Sequence, residues 1–444
     1  MANEYFATNQ EITKTADAIR RKKRSSNSIE WKNNTGFQDA IDSIEDTVVY
    51  GFHINSNESD PSAAVTYLAD AIGKTPAHMD YTNDVFDYGS WENAFFMPRP
   101  CMLKYDGTVD YYLDPNDYSK KLDGTASDIA DDTYGGNAMM EWGQDGKKIW
   151  YKVVPDANDN TSASIYISDT QVDNGFHAWS FYDYNNTLKD HFYTPIYNGS
   201  IDGNGKLRSI SGKAYSALCQ NKTAAQEITA AELNNVDSDK GWYTEVYADV
   251  VIIQFLCYLI GKSLDVQTVF GNGRINQSSV ASSMLGTGTM DNKGLFWGSN
   301  GNNYGVKVFG MENFWANQYR RYAGHYLDSY VNKYKLTRGT ADGSTVSDYS
   351  TNGSTGYLVG GTSPSSNGYY SKCEFSSNGG IFVNSVTNGG STIYYCDYFY
   401  QSSGLRYALR GGNCSNGASC GFSVRLSSTA TYASWDFGAS LSYK

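Results

Sequence analysis

The spacing of apolar residues changes early in the chain and predicts a short helical segment followed by a larger domain. Ile12, Ala16 and Ile19 recur at helical spacing, and residues 37–44 form a second amphipathic stripe after a polar break. Two small helices with one apolar face each cannot bury much core alone. Residues 1–48 are therefore predicted to be a helical segment that anchors the chain to a partner subunit or a larger assembly.

In the rest of the chain, residues 49–444, most of the pattern predicts short strands separated by polar turns. Residues 48–54 read as the first strand, and residues 381–386 and 392–400 as late strands between glycine-rich turns. Two helices are predicted within this region. Residues 60–73 have a capping Asp, a Pro in the first turn and a closing Gly, whereas residues 243–260 are apolar on nearly every side and therefore interior. The pattern predicts an α+β fold.

Composition narrows the possible partners. The net charge is −12, so the surface repels phosphate backbones and a nucleic-acid partner is not expected. The longest apolar run, near residues 246–260, is too short to cross a bilayer, so no membrane insertion is expected. The 7 cysteines are sparse and odd in number, and residues 1–10 have no apolar export signal, which together predict free thiols in a chain made in the cytoplasm.

Common catalytic motifs are absent from the sequence. There is no phosphate-binding glycine loop, and none of the 5 histidines is paired at metal-ligand spacing. The acidic runs at 114–117 and 128–132 lack the ordered spacing of a calcium loop, and turn capping is the better interpretation. No cofactor or metal is predicted. A carboxylate pair for glycoside hydrolysis stays open, because its separation depends on the three-dimensional structure.

Two stretches stand out near the C-terminus. Residues 308–319 read Val-Phe-Gly-Met-Glu-Asn-Phe-Trp-Ala-Asn-Gln-Tyr, and Arg410-Gly411-Gly412 is followed about 25 residues later by a segment that starts at Trp435. Together they resemble the C-type-lectin-like fold shared by formylglycine-generating enzymes and the variable proteins of diversity-generating retroelements. Ala316 stands where that family's turn usually has Gly. The resemblance implies a C-type-lectin-like domain with large insertions, in which residues 50–54 and 439–443 pair as first and last strands.

The whole chain also resembles a tail-associated protein type of gut-bacterial phages and prophages. Its Ala-Asp-Ala-Ile-Arg opening at 16–20 and the turn at 267–273 carry this likeness. In variable proteins of this kind, substitutions arise at adenines of Asn codons, a route that never produces Lys, Glu, Gln, Met or Trp. Residues 413–434 contain none of those five types. The resemblance thus implies a variable binding region at about residues 401–444.

Small polar and aromatic side chains in this region are expected to point outward while apolar and glycine positions hold the backbone. Phe, Tyr and Arg supply binding energy at such surfaces, and Ser and Asn supply adaptable hydrogen bonds. A plain solvated β-turn surface is the alternative interpretation, and Phe422 in particular is also compatible with the core. The predicted contact residues are Asn413, Ser415, Asn416, Ala418, Ser419, Phe422, Ser423, Arg425, Ser427, Ser428, Tyr432, Ser434 and Asp436.

Cys414 and Cys420 allow an enzymatic alternative. Formylglycine-generating enzymes carry a reactive, copper-binding Cys pair after their Arg-Gly-Gly step, but the pair here has one more intervening residue. A structural disulfide or simple buried thiols are further alternatives.

Binding is favoured over catalysis. The sequence is interpreted as a receptor-binding protein of a phage tail or prophage-derived particle, located in the virion tail after synthesis in the host cytoplasm. Expected partners are a bacterial cell-surface protein or glycan, other tail proteins through residues 1–48, and further copies of the chain in a homo-oligomer, by resemblance a trimer.

Overall fold

A computed structural model describes residues 47–337 and 357–444. The chain is a mixed α+β protein, with 12% of residues in helices and 35% in strands. The predicted anchoring segment lies almost entirely outside the described residues, and so do its two predicted helices.

The described residues contain three α-helices: α1 (Ala224–Glu232), α2 (Tyr247–Gly261) and α3 (Val266–Phe270). Short 3-10 turns lie at Gln144–Gly146, Trp179–Phe181, Tyr215–Ala217, Ala281–Ser283 and Gly417–Ser419. In chain order the strands are β1 (Val49–Ile54), β2 (Val65–Ala69), β3 (His78–Asp80), β4 (Val85–Asp87), β5 (Arg99–Lys104), β6 (Val109–Asp114), β7 (Asp117–Lys121), β8 (Gly136–Trp142), β9 (Trp150–Asp156), β10 (Asp159–Ser168), β11 (Phe192–Pro195), β12 (Ser200–Ile201), β13 (Leu207–Arg208), β14 (Trp242–Thr244), β15 (Lys307–Val308), β16 (Met311–Glu312), β17 (Tyr319–Asp328), β18 (Val331–Tyr334), β19 (Leu358–Thr362), β20 (Gly368–Tyr369), β21 (Lys372–Phe375), β22 (Ile381–Ser385), β23 (Tyr398–Gln401), β24 (Leu405–Arg410), β25 (Val424–Ser428), β26 (Phe437–Gly438) and β27 (Leu441–Tyr443).

Three larger sheets contain most of these strands, and the pairs β3-β4, β12-β13, β15-β16 and β21-β22 form separate two-stranded sheets. A four-stranded sheet has the order β2-β1-β10-β9, and a seven-stranded sheet has the order β14-β27-β11-β8-β5-β6-β7. The third sheet has the order β19-β18-β17-β24-β25-β23-β20, with β26 paired to β17. This last sheet, called the C-terminal sheet below, carries most of the predicted binding region.

Helix α2 is the interior helix that the sequence predicts. All of its residues from Tyr247 to Gly261 are buried, and Lys262 ends it in the left-handed conformation with φ 47°. The prediction placed its start a few residues too early, because Trp242–Thr244 form strand β14 beside the chain's last strand. An apolar helix covered on every side is stabilised by the burial of its whole surface.

The predicted helix at residues 60–73 is wrong. The chain makes turns after Asp60 and then forms strand β2, in which Val65 and Tyr67 are buried while Thr66 is exposed. That alternation has the period of a strand, and β2 pairs along β1. Asp60 does act as a cap, since its side chain accepts hydrogen bonds from the backbone amides of Ser62 and Ala63, but it caps a turn and not a helix.

The expected pairing of the first and last strands is also wrong. Strand β1 lies between β10 and β2, whereas β27 lies between β14 and β11 in a different sheet. The predicted strand at residues 381–386 is confirmed as β22, whereas of residues 392–400 only the end, from Tyr398, forms a strand, β23. Within residues 47–337 and 357–444, no helix is both long and apolar enough to cross a membrane.

Candidate ligand-binding surface

The end of the 308–319 stretch lies in the C-terminal sheet, beside the second stretch that stands out in the sequence, while β15 and β16 form a separate two-stranded sheet. Strand β17 pairs with β24, with Arg320 opposite Arg410, and on its other edge it pairs with β26, with Tyr319 opposite Phe437. The Arg-Gly-Gly step, the end of the 308–319 segment and the segment after Trp435 therefore form one continuous structure.

Arg410 fixes the Arg-Gly-Gly step to the interior. Its Nη2 lies 2.6 Å from Glu245 Oε1, its Nη1 donates to the carbonyl of Phe314 at 2.8 Å, and its guanidinium lies 4.1 Å over the Phe314 ring. Arg410 and Glu245 are both buried. The next residue, Gly411, has φ 90° and accepts a 2.8 Å hydrogen bond from the Ala316 amide. These contacts fix the backbone where the predicted binding region begins.

Ala316 has a backbone conformation that favours Gly. Its φ is 75°, in the left-handed region where a Cβ atom is strained. The residue is fully buried, and a Cβ on the neighbouring Gly273 would lie 2.8 Å from the Ala316 methyl group. The methyl group therefore fills space that the paired glycine leaves open.

A second anchor closes the predicted region. Asn413 Nδ2 donates to Asp436 Oδ2 at 2.6 Å, and Ser434 Oγ donates to the other carboxylate oxygen. Asn413 Oδ1 also accepts from the backbone amide of Ser415 at 2.9 Å, and the backbone amide of Asn413 donates to Asn416 Oδ1 at 2.8 Å. The ends of the 413–436 segment are thus tied together by buried side chains.

The predicted contact residues divide by burial. The exposed ones are Ala418 and Tyr432, and the partly exposed ones are Ser415, Asn416, Ser419, Arg425, Ser427 and Ser434. The buried ones are Asn413, Phe422, Ser423, Ser428 and Asp436. For this last group the expectation of an outward orientation is wrong.

Phe422 shows why some of these side chains are buried. Its ring lies 5.8 Å from the Phe314 ring and 6.0 Å from the Trp315 ring, so it belongs to the core beneath the sheet. The carbonyl of Ser423 accepts the Gly411 amide at 3.0 Å, and this backbone contact draws Ser423 inward. Burying a ring as large as that of Phe is more favourable in free energy than leaving it exposed to water.

Three tyrosines that the prediction missed lie beside the partly exposed residues. The rings of Tyr369 and Tyr398 are 4.9 Å apart, and those of Tyr398 and Tyr400 are 4.5 Å apart. Tyr369 Oη lies 3.2 Å from Ser419 Oγ, and the Arg425 guanidinium lies 5.6 Å from the Tyr400 ring. We call Tyr369, Tyr398 and Tyr400 the tyrosine cluster. The Tyr-x-Tyr alternation at 398–400 was the available signal, because strand residues two apart share a face.

The two cysteines of the enzymatic alternative are buried free thiols. Burial raises the pKa of Cys414 to about 11 and raises that of Cys420 further. Cys420 Sγ lies 3.7 Å from the carbonyl of Asn413. A thiolate is the form that binds copper and attacks substrates, so this environment disfavours both reactions. All 7 cysteines are free and buried, which confirms the prediction of free thiols.

The acidic runs cap turns, as predicted. Asp114 accepts from the Asn116 amide at 2.8 Å, and Asp131 accepts from the Thr133 amide at 2.8 Å. Across residues 47–337 and 357–444, no group of three or more His, Cys, Asp or Glu side chains is arranged to hold a metal ion.

Comparison with known proteins adds no relative. No family model matches the chain, and no curated protein matches it.

Proposed function

We propose that the chain is a receptor-binding protein of a phage tail or prophage-derived particle, which binds a bacterial surface protein or glycan through residues 401–444. The supporting observation is the contrast within the 413–436 segment. Buried anchors hold its two ends, and the exposed or partly exposed side chains lie between those anchors. A site of this kind tolerates changes in its outer side chains without loss of the backbone.

The chemistry of the accessible residues suits recognition. Tyr432 is 52% exposed, Arg425 is partly exposed, and the serines and Asn416 around them offer small donors and acceptors. The tyrosine cluster extends this set on the neighbouring strands. Tyr provides a large contact area with few rotatable bonds, Arg provides charge and several hydrogen-bond donors, and Ser and Asn adapt their hydrogen bonds to different partners.

The scaffold and assembly belong to the same proposal. We place this surface on a C-type-lectin-like scaffold, and the chain in the virion tail, attached to other tail proteins through residues 1–48. A homo-oligomer, by resemblance a trimer, would present several surfaces together, so that weak single contacts add to firm attachment. Light scattering of the full chain tests this part, and a monodisperse monomer at micromolar concentration would contradict it.

Sequencing of the encoding gene across a natural population tests the variable surface. We expect substitutions at adenines in the codons of accessible residues such as Ser415, Asn416 and Tyr432. The codons of the buried Asn413 and Asp436 should stay constant, because their side chains hold the backbone. A window from 413 to 436 that varies no more than the rest of the gene would contradict the proposal.

Adsorption of the purified chain to a panel of gut-bacterial isolates tests binding directly. Ser415→Tyr and Tyr432→Ala should change which isolates are bound, or how tightly, while thermal stability stays nearly constant. Leu233→Ala is a matched control, because Leu233 is 46% exposed at the end of α1. Loss of adsorption by the control alone would move the binding surface away from residues 401–444.

A further inference from the structure

A groove beside the predicted binding region combines aromatic rings with polar groups. Its volume is about 450 Å³, and Asp84, Lys293, Trp297, Asn303 and Tyr304 lie along it. Sites for small molecules in proteins usually have volumes of roughly 300–1,000 Å³. The groove is therefore large enough for one or two sugar rings.

Two aromatic rings form a corner in this groove. Tyr304 is 58% exposed, whereas Trp297 is only 8% exposed and forms the floor. Their ring centroids are 6.0 Å apart and their planes meet at 86°. The exposed Tyr304 ring offers a flat apolar surface, and the Trp297 ring closes the groove at right angles to it. This arrangement suits a ligand that has one apolar face.

Polar groups flank the aromatic corner. Asp84 accepts from Trp297 Nε1 at 2.8 Å and from Lys293 Nζ at 3.0 Å, and Lys293 Nζ lies 4.5 Å from the centre of the Trp297 ring. A carboxylate has about four lone-pair positions, so Asp84 can accept further hydrogen bonds. Asn303 also lines the groove, and its Oδ1 accepts from Gln277 Nε2 at 3.1 Å.

The loop that carries Tyr304 is held in place before any ligand binds. Arg274 Nη1 donates to the carbonyl of Asn303 at 2.8 Å, and Asn272 Nδ2 donates to that of Asn300 at 2.8 Å. The Ile275 amide donates to the carbonyl of Asn302 at 3.1 Å. A wall fixed at successive points loses little conformational entropy on binding, which favours affinity.

Gln277 connects this groove to the 413–436 segment. Its backbone amide donates to the carbonyl of Cys414 at 2.8 Å, and its side-chain amide donates to the carbonyl of Asn302 at 3.0 Å. The groove and the predicted binding region are therefore neighbours that share a structural residue.

We propose that the groove lined by Trp297, Tyr304 and Asp84 binds an uncharged saccharide. A pyranose ring presents C–H bonds on its face and hydroxyl groups at its edge, so its face stacks on Tyr304 while its hydroxyls reach Asp84, Lys293 and Asn303. An apolar ligand would cover these polar groups without replacing their water, which is unfavourable. An anion would be repelled by the Asp84 carboxylate, and the positive charge of Lys293 is already paired with that carboxylate.

The site does not depend on the function proposed for residues 401–444. Saturation-transfer NMR of the full chain with the methyl glycosides of glucose, galactose, N-acetylglucosamine and rhamnose provides the test. At least one glycoside should receive saturation, strongest at the protons of one ring face. Tyr304→Ala should weaken its binding at least ten-fold, and Tyr304→Phe should retain it, because stacking needs the ring and not the hydroxyl group.

Tyr215→Ala is the matched control, since it removes a tyrosine that is 37% exposed outside both the groove lining and residues 401–444, and it should leave glycoside binding unchanged. The proposal is overturned if no glycoside binds, or if binding survives Tyr304→Ala. It is also overturned if N-acetyltyrosinamide, a mimic of a peptide side chain, binds in a Tyr304-dependent manner and the glycosides do not. A loss of cell adsorption by Tyr432→Ala with glycoside binding intact would separate the two sites.

Discussion

The amide Nδ2 of Asn413 donates a 2.6 Å hydrogen bond to the carboxylate of Asp436, across 23 residues of chain. Both side chains are buried, at 4% and 8% exposure. A hydrogen bond to a charged acceptor is stronger than one between neutral groups, and a buried partner left without its bond is costly. The pair therefore decides whether the segment between them keeps one conformation.

We expect Asp436→Ala to lower the free energy of unfolding by about 1–3 kcal/mol, because it leaves the Asn413 amide buried without its acceptor. Urea denaturation of the full chain measures this change. Tyr432→Ala, in the same segment but exposed, should change stability by less than about 0.5 kcal/mol. Equal losses for both variants would mean that the anchors and the accessible residues do not differ in role.

A larger loss is expected for Arg410→Ala. The substitution removes a guanidinium that contacts Glu245 at 2.6 Å and the carbonyl of Phe314 at 2.8 Å. Among the described residues, Arg320, at 3.7 Å, is then the cation that remains paired with the buried Glu245 carboxylate. Breaking a buried ion pair by removing one partner costs about 3–5 kcal/mol. Urea denaturation again measures the effect.

Arg406→Ala is the control for that prediction. Arg406 lies on the same strand and is only partly buried, with hydrogen bonds to Ser402 and to the carbonyl of Leu405. Its loss should cost less than about 1 kcal/mol. An Arg410→Ala protein as stable as Arg406→Ala would show that the Arg-Gly-Gly step is not held by Glu245.

The cysteines provide a third prediction. Both thiols are buried, and burial raises the pKa of Cys414 to about 11 and that of Cys420 further. Neither thiol should therefore react with 5,5′-dithiobis(2-nitrobenzoate) in the folded protein at pH 7.5. In guanidinium chloride all 7 thiols should react. Rapid reaction in the native state that is lost in Cys414→Ser would revive the copper-oxidase alternative.

Sequence patterns predicted the parts of the fold that depend on one element at a time. Helix α2 was predicted because its apolar residues continue around the whole helix, and β1 because of its β-branched and aromatic run. The region after Asp60 was mispredicted because the residues that cap helices also begin turns. Residues 65–69 form a strand because they pair with β1, and this pairing is not visible in the local sequence. Partner choice between distant strands, as for β27, is not encoded in local periodicity.

The same limit applies to the predicted binding region. The Arg-Gly-Gly step and the segment after Trp435 were singled out from the sequence, and the structure joins both to β17. Burial of Asn413 and Ser423 could not be predicted, because small polar residues look alike in a sequence whether they cap a buried turn or face solvent. The tyrosine cluster depends on strand β20, which lies about 30 residues earlier than β23 in the chain.

The last prediction concerns pH. His325 is buried, with its Nδ1 2.9 Å from Tyr322 Oη and its Nε2 3.0 Å from Asn332 Oδ1, and burial lowers its pKa from 6.5 to about 4. The unfolded chain therefore takes up a proton at higher pH than the folded chain does. The stability that the neutral imidazole provides is fully present above about pH 6.5 and is lost as the pH falls toward 4, by about 3 kcal/mol in total.

His325→Gln keeps a donor and an acceptor at this position but does not titrate. We expect the free energy of unfolding of the variant to fall less steeply than that of the parent between pH 7 and pH 4, with a difference near 3 kcal/mol. Urea denaturation at half-unit pH steps measures both curves, and all other titrating groups are common to the two proteins. Parallel curves would mean that His325 accepts its proton in the folded state, with water or a rearranged Asn332 as its partner, and that the interior beside α2 is more open than its packing indicates.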